Sequence, residues 1–179
     1  MDDILIILAD GFEEAEAVIT IDVLRRMNFK VCIASLNQNL ETTSSHKIKI
    51  IADKKLTDCK NDKFKAVVLP GGMPGASNLK NSKDVIDVIK KTYAEGGFVC
   101  AICAAPIVLS HAGILDNIKF TAYPGFDEFF KTPPLLDMVV KDKNVITGKG
   151  PGAAFDFARA IAHALGKDSS QVAKGMLLE

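Results

Sequence analysis

The sequence predicts an α/β three-layer sandwich with a mainly parallel sheet. Four short apolar runs lack the alternation of a half-exposed strand and predict strands buried on both faces. They are ILIIL (4–8), KVCIASL (30–36), AVVLP (66–70) and FVCAIC (98–103). Segments with helical spacing of apolar residues lie between them, and strand–helix–strand order favours a parallel sheet covered by helices. The 179 residues fit one domain, 1–179.

Three helices are predicted from apolar residues that recur every three or four positions. They cover residues 15–27, 83–95 and 153–165. In the first helix, this spacing directs Val18, Ile21 and Leu24 to one side. The segment KIKII (47–51) alternates instead, which indicates a half-exposed antiparallel strand.

Composition narrows the class of protein. Lys plus Arg and Asp plus Glu both number 22, so the formal net charge is zero, which argues against a nucleic-acid or membrane-surface protein.

The start, MDDILIILADG, lacks the features of a signal peptide, and its apolar run is too short to span a bilayer. We expect a cytoplasmic protein with reduced thiols. A transit peptide removed before residue 1 remains an alternative.

Each segment that follows a predicted parallel strand is rich in glycine, in charged residues or in sulfur. These segments are Ala9–Glu16, Pro70–Gly75, Cys103–Pro106 and Gly148–Gly152. Because ligands bind beyond the carboxyl ends of parallel strands, we expect these four segments to converge on one site.

AICAAP (101–106) predicts a tight turn from strand to helix with Cys103 at its centre, as in a nucleophile elbow. A helix start favours the thiolate, which is the nucleophilic form of cysteine. The competing interpretation is a buried, inert cysteine. Cys100 lies three residues back in the strand, so a Cys100–Cys103 redox pair is not expected. The C-x-x-C spacing has no second pair to complete a zinc site, and no metal is predicted.

ADGFEEAEAV (9–18) carries Glu13, Glu14 and Glu16. Acidic residues are ordinary in the first turn of a helix, and this explains Glu13 and Glu14. Glu16 is flanked by apolar residues and is predicted to face inward. A carboxyl buried near a thiolate keeps its proton, so Glu16 is a candidate general acid and base for Cys103.

LPGGMPGASNL (69–79) is a glycine-rich turn after a strand. Its backbone lets the N–H of Gly72, together with that of Ala104, form an oxyanion hole, although a plain loop fits the same letters. GKGPGA (148–153) matches a relaxed dinucleotide pattern, but no second βαβ half follows, so it indicates a turn. No cofactor is therefore predicted.

The histidines His46, His111 and His163 are not expected to reach Cys103. His111 closes the helix after the cysteine and His163 lies deep in the last long helix. A Cys–His dyad is therefore not predicted, and exposed or capping roles fit all three histidines better.

Together these motifs resemble the ThiJ/PfpI superfamily, and most closely its parkinsonism-associated DJ-one branch. The acidic motif, the LPGG loop, the AICA-P elbow and the GPGAAFDFA helix start occur in family order across nearly the whole chain. The resemblance implies a flavodoxin-like fold, a cytoplasmic homodimer, Cys103 as the reactive and easily oxidised cysteine, and Glu16 as its partner. It also implies that Gly72 and Ala104 line the oxyanion pocket.

Two positions depart from the family pattern. Tyr123, in TAYP (121–124), stands where many relatives have a histidine, and is expected to be auxiliary. Ala104 stands where peptidase relatives have a histidine, which disfavours a cysteine peptidase. His46 falls where the family often has an arginine near the partner subunit.

The resemblance implies a glutathione-independent glyoxalase or protein deglycase. Its substrates would be methylglyoxal-type α-oxoaldehydes and glycated proteins. The alternative is a redox-sensing, chaperone-like protein regulated by oxidation of Cys103.

Overall fold

A computed structural model of the chain describes residues 3–178. Its centre is a seven-stranded sheet. The strands are β1 (Ile4–Leu8), β2 (Val31–Ser35), β5 (Lys54–Lys55), β6 (Ala66–Leu69), β7 (Phe98–Ile102), β8 (Val139–Asp142) and β9 (Val145–Gly148). Their order across the sheet is β5-β2-β1-β6-β7-β9-β8. Only β8 pairs antiparallel to its neighbour in this sheet. A separate antiparallel hairpin joins β3 (Glu41–Thr43) and β4 (Lys49–Ile51).

Helices cover both faces of the sheet, so the predicted three-layer arrangement is confirmed. They are α1 (Glu14–Arg26), α2 (Leu56–Cys59), α3 (Gly75–Asn81), α4 (Lys83–Ala94), α5 (Pro106–His111), α6 (Ala154–Ala164) and α7 (Ser170–Gly175). Short 3-10 turns lie at Asp127–Phe129 and Pro151–Ala153. One core layer packs α1 and α6 against the sheet, and the other packs α2 to α5 against the opposite face.

The predicted strands and long helices agree with the structure to within one or two residues at their ends. The alternating segment at 47–51 is antiparallel, as predicted, but it pairs within the separate hairpin. Val18 corrects the predicted apolar face of α1, because its side chain is 48% exposed while Ile21 and Leu24 are buried. The buried stripe of α1 instead runs through Ala17 and Thr20.

The topology brings the candidate segments together at one end of the sheet. Strands β1, β6 and β7 are consecutive neighbours, and each is parallel to the next. The chain leaves them at Ala9, Pro70 and Cys103, so the three following segments meet at the carboxyl edge. Within residues 3–178, no helix is both long enough and apolar enough to cross a membrane.

Candidate active site

Cys103 occupies a strained turn at the end of β7. Its φ angle is +64°, in the left-handed region that residues with a side chain seldom adopt. Two backbone hydrogen bonds fix the turn: the N–H of Cys103 donates to the oxygen of Gly148, and its carbonyl accepts from the N–H of Tyr123, both at 2.9 Å. Strain of this kind persists only where the surroundings impose it, and it is concentrated at functional sites. The half-buried thiol is thereby presented at the edge of the sheet.

The regular helix starts later than the sequence suggests. Cys103 to Ala105 form a turn, and α5 begins at Pro106. The predicted turn from strand to helix is therefore present, and Cys103 lies three positions before the first residue of α5. Individual backbone amides act in place of the helix start, because the N–H groups of Gly72 and Ala104 lie near the Cys103 sulfur and lower the pKa of the thiol.

Two consecutive glycines let the loop after β6 approach this turn. A Cβ atom on Gly71 would lie 2.7 Å from the Cβ of Cys103 and 2.8 Å from the oxygen of Ile102. Gly72 has a φ of +85°, and a Cβ there would lie 2.4 Å from the nitrogen of Glu13. Neither position has room for a larger residue unless the backbone moves.

Glu16 lies in the first turn of α1 with no exposure to solvent. Its Oε2 accepts a hydrogen bond of 2.7 Å from the N–H of Gly71. Its Oε1 is buried without a hydrogen-bond partner at normal distance. The carboxyl group also interacts with the Cys103 thiol, in a contact longer than a normal hydrogen bond. The carboxyl is thus held at one oxygen, and the other is available for a proton.

Burial sets the protonation of this pair. It raises the pKa of Glu16 to about 7, although the hydrogen bond from Gly71 opposes the rise. Burial also raises the pKa of the Cys103 thiol, and the charge of Glu16 raises it further, while the N–H groups of Gly72 and Ala104 act in the opposite direction. Burial and the Glu16 charge therefore oppose the acidity expected for this thiol, and the two N–H groups favour it. Formation of the thiolate is coupled to Glu16, because an ionised Glu16 is the neighbouring group able to take the proton.

Glu13 and Glu14 form a separate cluster with His46 beside the start of α1. One ligand atom from each lies within 4.8 Å of the others, a spacing that suits a cation. His46 Nδ1 lies 2.8 Å from Glu14 Oε1, and Ser45 Oγ donates to both carboxylates. These contacts hold the β3–β4 hairpin against α1 and make no use of Cys103.

Tyr123 reaches Cys103 through its backbone, while its side chain is 48% exposed. The ring lines a cavity of about 290 Å³ between TAYP and the turn after β9. A hydrogen bond between two buried threonines positions the TAYP segment: the N–H of Thr121 donates to Thr147 Oγ1 at 2.9 Å. The sequence analysis did not identify this contact. The pattern of apolar and polar residues along β9 does not reveal that Thr147 holds this segment.

The remaining sequence candidates lie elsewhere. His163 Nε2 is 2.8 Å from Ser169 Oγ, and His111 ends α5. Cys100 is fully buried within β7, and all four cysteines are thiols. Among the described residues, the groups gathered at Cys103 are Glu16 and the backbone N–H groups of two adjoining loops. Gly71, the anchor of Glu16, was also missed, because a backbone donor leaves no sequence signal.

The fold and site define an α/β protein of flavodoxin-like architecture with a cysteine in a strained elbow beside a buried glutamate. The sequence pattern of the DJ-1/PfpI family matches residues 2–164, and the chain belongs to this family. The chain is 42% identical to "Protein dj-1beta" of Drosophila melanogaster, covering 97% of this chain and 96% of that protein. This membership confirms the family resemblance inferred from the motifs.

Two further comparisons bear on function and fold. The "Glutathione-independent glyoxalase DJR-1.2" of Caenorhabditis elegans is 34% identical over 90% of this chain and 87% of its own length. The structure of oxidised Toxoplasma gondii DJ-1 superimposes with a TM-score of 0.95 at 31% identity, covering 99% of this chain and 98% of the other. The chain spans less than half the length of two Arabidopsis thaliana relatives.

Proposed function

We propose that the protein is a cofactor-free glyoxalase or deglycase for α-oxoaldehydes such as methylglyoxal and for their protein adducts. Cys103 is the nucleophile and Glu16 the general acid and base. The observation that carries the proposal is the Glu16 carboxyl, which is fully buried, has a pKa raised to about 7 and contacts the Cys103 thiol. The name of the C. elegans relative supports the same reaction class.

The first step generates the nucleophile inside the pair. Ionised Glu16 takes the proton of the Cys103 thiol, and the sulfur attacks the aldehyde carbon of methylglyoxal. A C–S bond forms, and the carbonyl electron pair moves to oxygen. The N–H groups of Gly72 and Ala104, which lie near the sulfur, stabilise the negative oxygen. Glu16 then gives this oxygen the proton that it took from the thiol, which leaves Glu16 ionised for the next step.

The second step moves a proton along the substrate. Glu16 removes the proton from the carbon bonded to sulfur and returns a proton to the neighbouring carbon, through an enediol-like intermediate. The product is a thioester of lactate on Cys103. Water cleaves the C–S bond, which releases lactate and restores the thiol. Methylglyoxal plus water gives lactic acid, so no external oxidant or reductant is needed.

Turnover of methylglyoxal by the purified chain, with glutathione omitted, tests this proposal. We expect lactate to form with the wild-type protein and not with Cys103→Ser, because no base near residue 103 is strong enough to activate a hydroxyl. Parallel reactions with free methylglyoxal and with a methylglyoxal-treated protein separate the glyoxalase from the deglycase. A wild-type protein that releases no lactate and removes no adduct would contradict both.

A redox role is a second candidate, favoured by the same N–H groups. A sulfinate on Cys103 would accept hydrogen bonds from Gly72 and Ala104 and from protonated Glu16. Under mild peroxide we expect Cys103, the half-buried thiol, to oxidise before the three buried ones. Peptide mass spectrometry after graded peroxide measures that order, and earlier oxidation of another cysteine would count against this role.

A further inference from the structure

Two other cysteines face each other far from the carboxyl edge of the sheet. Cys32 lies in β2 and Cys59 at the end of α2. The pairing of Ser35 with Lys55 places the start of α2 directly beside β2. Cys32 and Cys59 belong to the same core layer, where they are 3% and 1% exposed.

The two thiols lie close enough to interact. The interaction with the Cys32 thiol is the largest of the effects that lower the pKa of Cys59. The Cys59 thiol in turn lies 3.6 Å from the carbonyl oxygen of Lys55, which keeps its side chain on the side of α2 that faces β2. Cys100 provides the contrast, because it is fully buried and its pKa is raised by burial alone.

We propose that Cys32 and Cys59 form a second redox site, which a peroxide or a small-molecule disulfide converts into an intramolecular disulfide. The pairing of β2 with β5 and the burial of both thiols in one core layer place the two cysteines near each other, and a disulfide bond of about 2.0 Å requires such an approach. The site shares no residue with the proposed catalytic pair and does not depend on it.

The chemistry balances with peroxide as the two-electron oxidant. The Cys59 thiolate attacks one peroxide oxygen, the O–O bond breaks, and Cys59 becomes a sulfenic acid while one water forms. The Cys32 sulfur then attacks the Cys59 sulfur, the S–O bond breaks, and the departing oxygen leaves as a second water. Two thiols lose two electrons and two protons in total.

The local electrostatics favour Cys59 as the first sulfur to react. The interaction with the Cys32 thiol lowers the pKa of Cys59, and the charge of Lys54 adds to this effect, whereas burial, Asp58 and Asp62 oppose it. A lower pKa increases the thiolate fraction, and the thiolate is the form that peroxide oxidises.

Access to the pair requires a local opening of α2. This helix is a single turn of four residues, and Thr57, Asp58 and residues 61–63 are exposed. Short, exposed segments open more readily than the core strands. We therefore expect the pair to react more slowly than the half-buried Cys103, but before the whole domain unfolds.

The test exposes the Cys103→Ala protein to graded hydrogen peroxide or to oxidised glutathione without denaturant. In parallel samples that contain an alkylating reagent and no oxidant, labelling of Cys100 records opening of the strand core. The expected result is a peptide cross-linked through Cys32 and Cys59, lighter by two hydrogen atoms, while Cys100 stays unlabelled. The disulfide should also raise the urea midpoint of unfolding, because it restricts the unfolded chain, and a thiol reductant should reverse the rise.

The single variants Cys32→Ala and Cys59→Ala are the matched controls. In each, the remaining cysteine should oxidise or form a mixed disulfide without any rise of the urea midpoint. Three results would overturn the proposal: no cross-link at any peroxide concentration within the time for which Cys100 stays unlabelled, a cross-link that appears only on the timescale of Cys100 labelling, or a disulfide between two chains. Because Cys103 is absent from this background, failure here leaves the proposed activity untouched.

Discussion

The Glu16 carboxyl contacts the Cys103 thiol, and the N–H of Gly71 holds its Oε2 at 2.7 Å. This relationship joins three segments distant in the sequence: the first turn of α1, the loop after β6 and the turn after β7. Burial places the pKa of Glu16 at about 7, so Glu16 changes its protonation state in the physiological range.

Glu16→Gln should stabilise the protein above neutral pH. The folded state raises the pKa of Glu16 from an ordinary value near 4.5 to about 7, so the folded state binds the proton more tightly, and stability falls as pH rises between these values. The full loss, present above pH 7, is about 3 kcal/mol at 1.36 kcal/mol for each pKa unit. Glutamine carries no charge, and its side-chain oxygen can still accept the hydrogen bond from the N–H of Gly71.

Urea unfolding of both proteins at pH 5 and pH 8 measures this effect. We expect the difference between variant and wild type to grow in favour of the variant towards pH 8. A difference that is the same at both pH values would show that burial does not penalise the Glu16 carboxylate.

Gly71→Ala should impair the site while leaving the fold intact. The new methyl group would lie 2.7 Å from the Cβ of Cys103, so the loop must shift and the hydrogen bond to Glu16 must lengthen. We expect turnover to fall by about 100-fold, since small misplacements of catalytic groups cost roughly that much. Gly175→Ala, which has open space, is the control and should keep full activity. Equal activity of the two variants would refute the packing argument.

Tyr123→Phe should keep most of the turnover. The tyrosine contacts Cys103 through its backbone, which this change preserves, and its side chain is largely exposed. Loss of one neutral hydrogen bond to substrate costs ~0.5–1.5 kcal/mol, or roughly tenfold in rate. Steady-state kinetics with methylglyoxal measure the change. A loss of thousands-fold would mean that the hydroxyl takes part in proton transfer.

We expect a homodimer that pairs through the α1 region. Val18 on α1 and Ile48 and Ile51 of the hairpin segment are 48%, 51% and 64% exposed, and such apolar exposure is typical of an interface. Sedimentation at micromolar concentration should give twice the chain mass, and Val18→Glu should shift it towards the monomer. A monomer mass for the wild type would refute this expectation.

The sequence predicts the layers and the site segments well, because buried parallel strands appear as continuous apolar runs and the site turns appear as glycine-rich motifs. The apolar runs at 4–8 and 98–103 are examples. The pKa of Cys103 was not predictable, since burial and the charge of Glu16 depend on how distant segments pack. Gly71 and Thr147 act through contacts that residue type does not reveal. The exposure of Val18 likewise depends on which neighbours cover α1.

The most direct test of the central claim is the kcat/KM for lactate formation from methylglyoxal by Glu16→Gln relative to wild type. Glutamine cannot move a proton between the two carbon atoms, so we predict a loss of about 10²–10⁴-fold, the usual contribution of general acid–base catalysis. The rate of Cys103 alkylation should stay within about tenfold when it is measured at alkaline pH, where hydroxide takes the thiol proton in place of Glu16, and this control shows that the site is intact. A Glu16→Gln protein that forms lactate as fast as wild type would contradict the account.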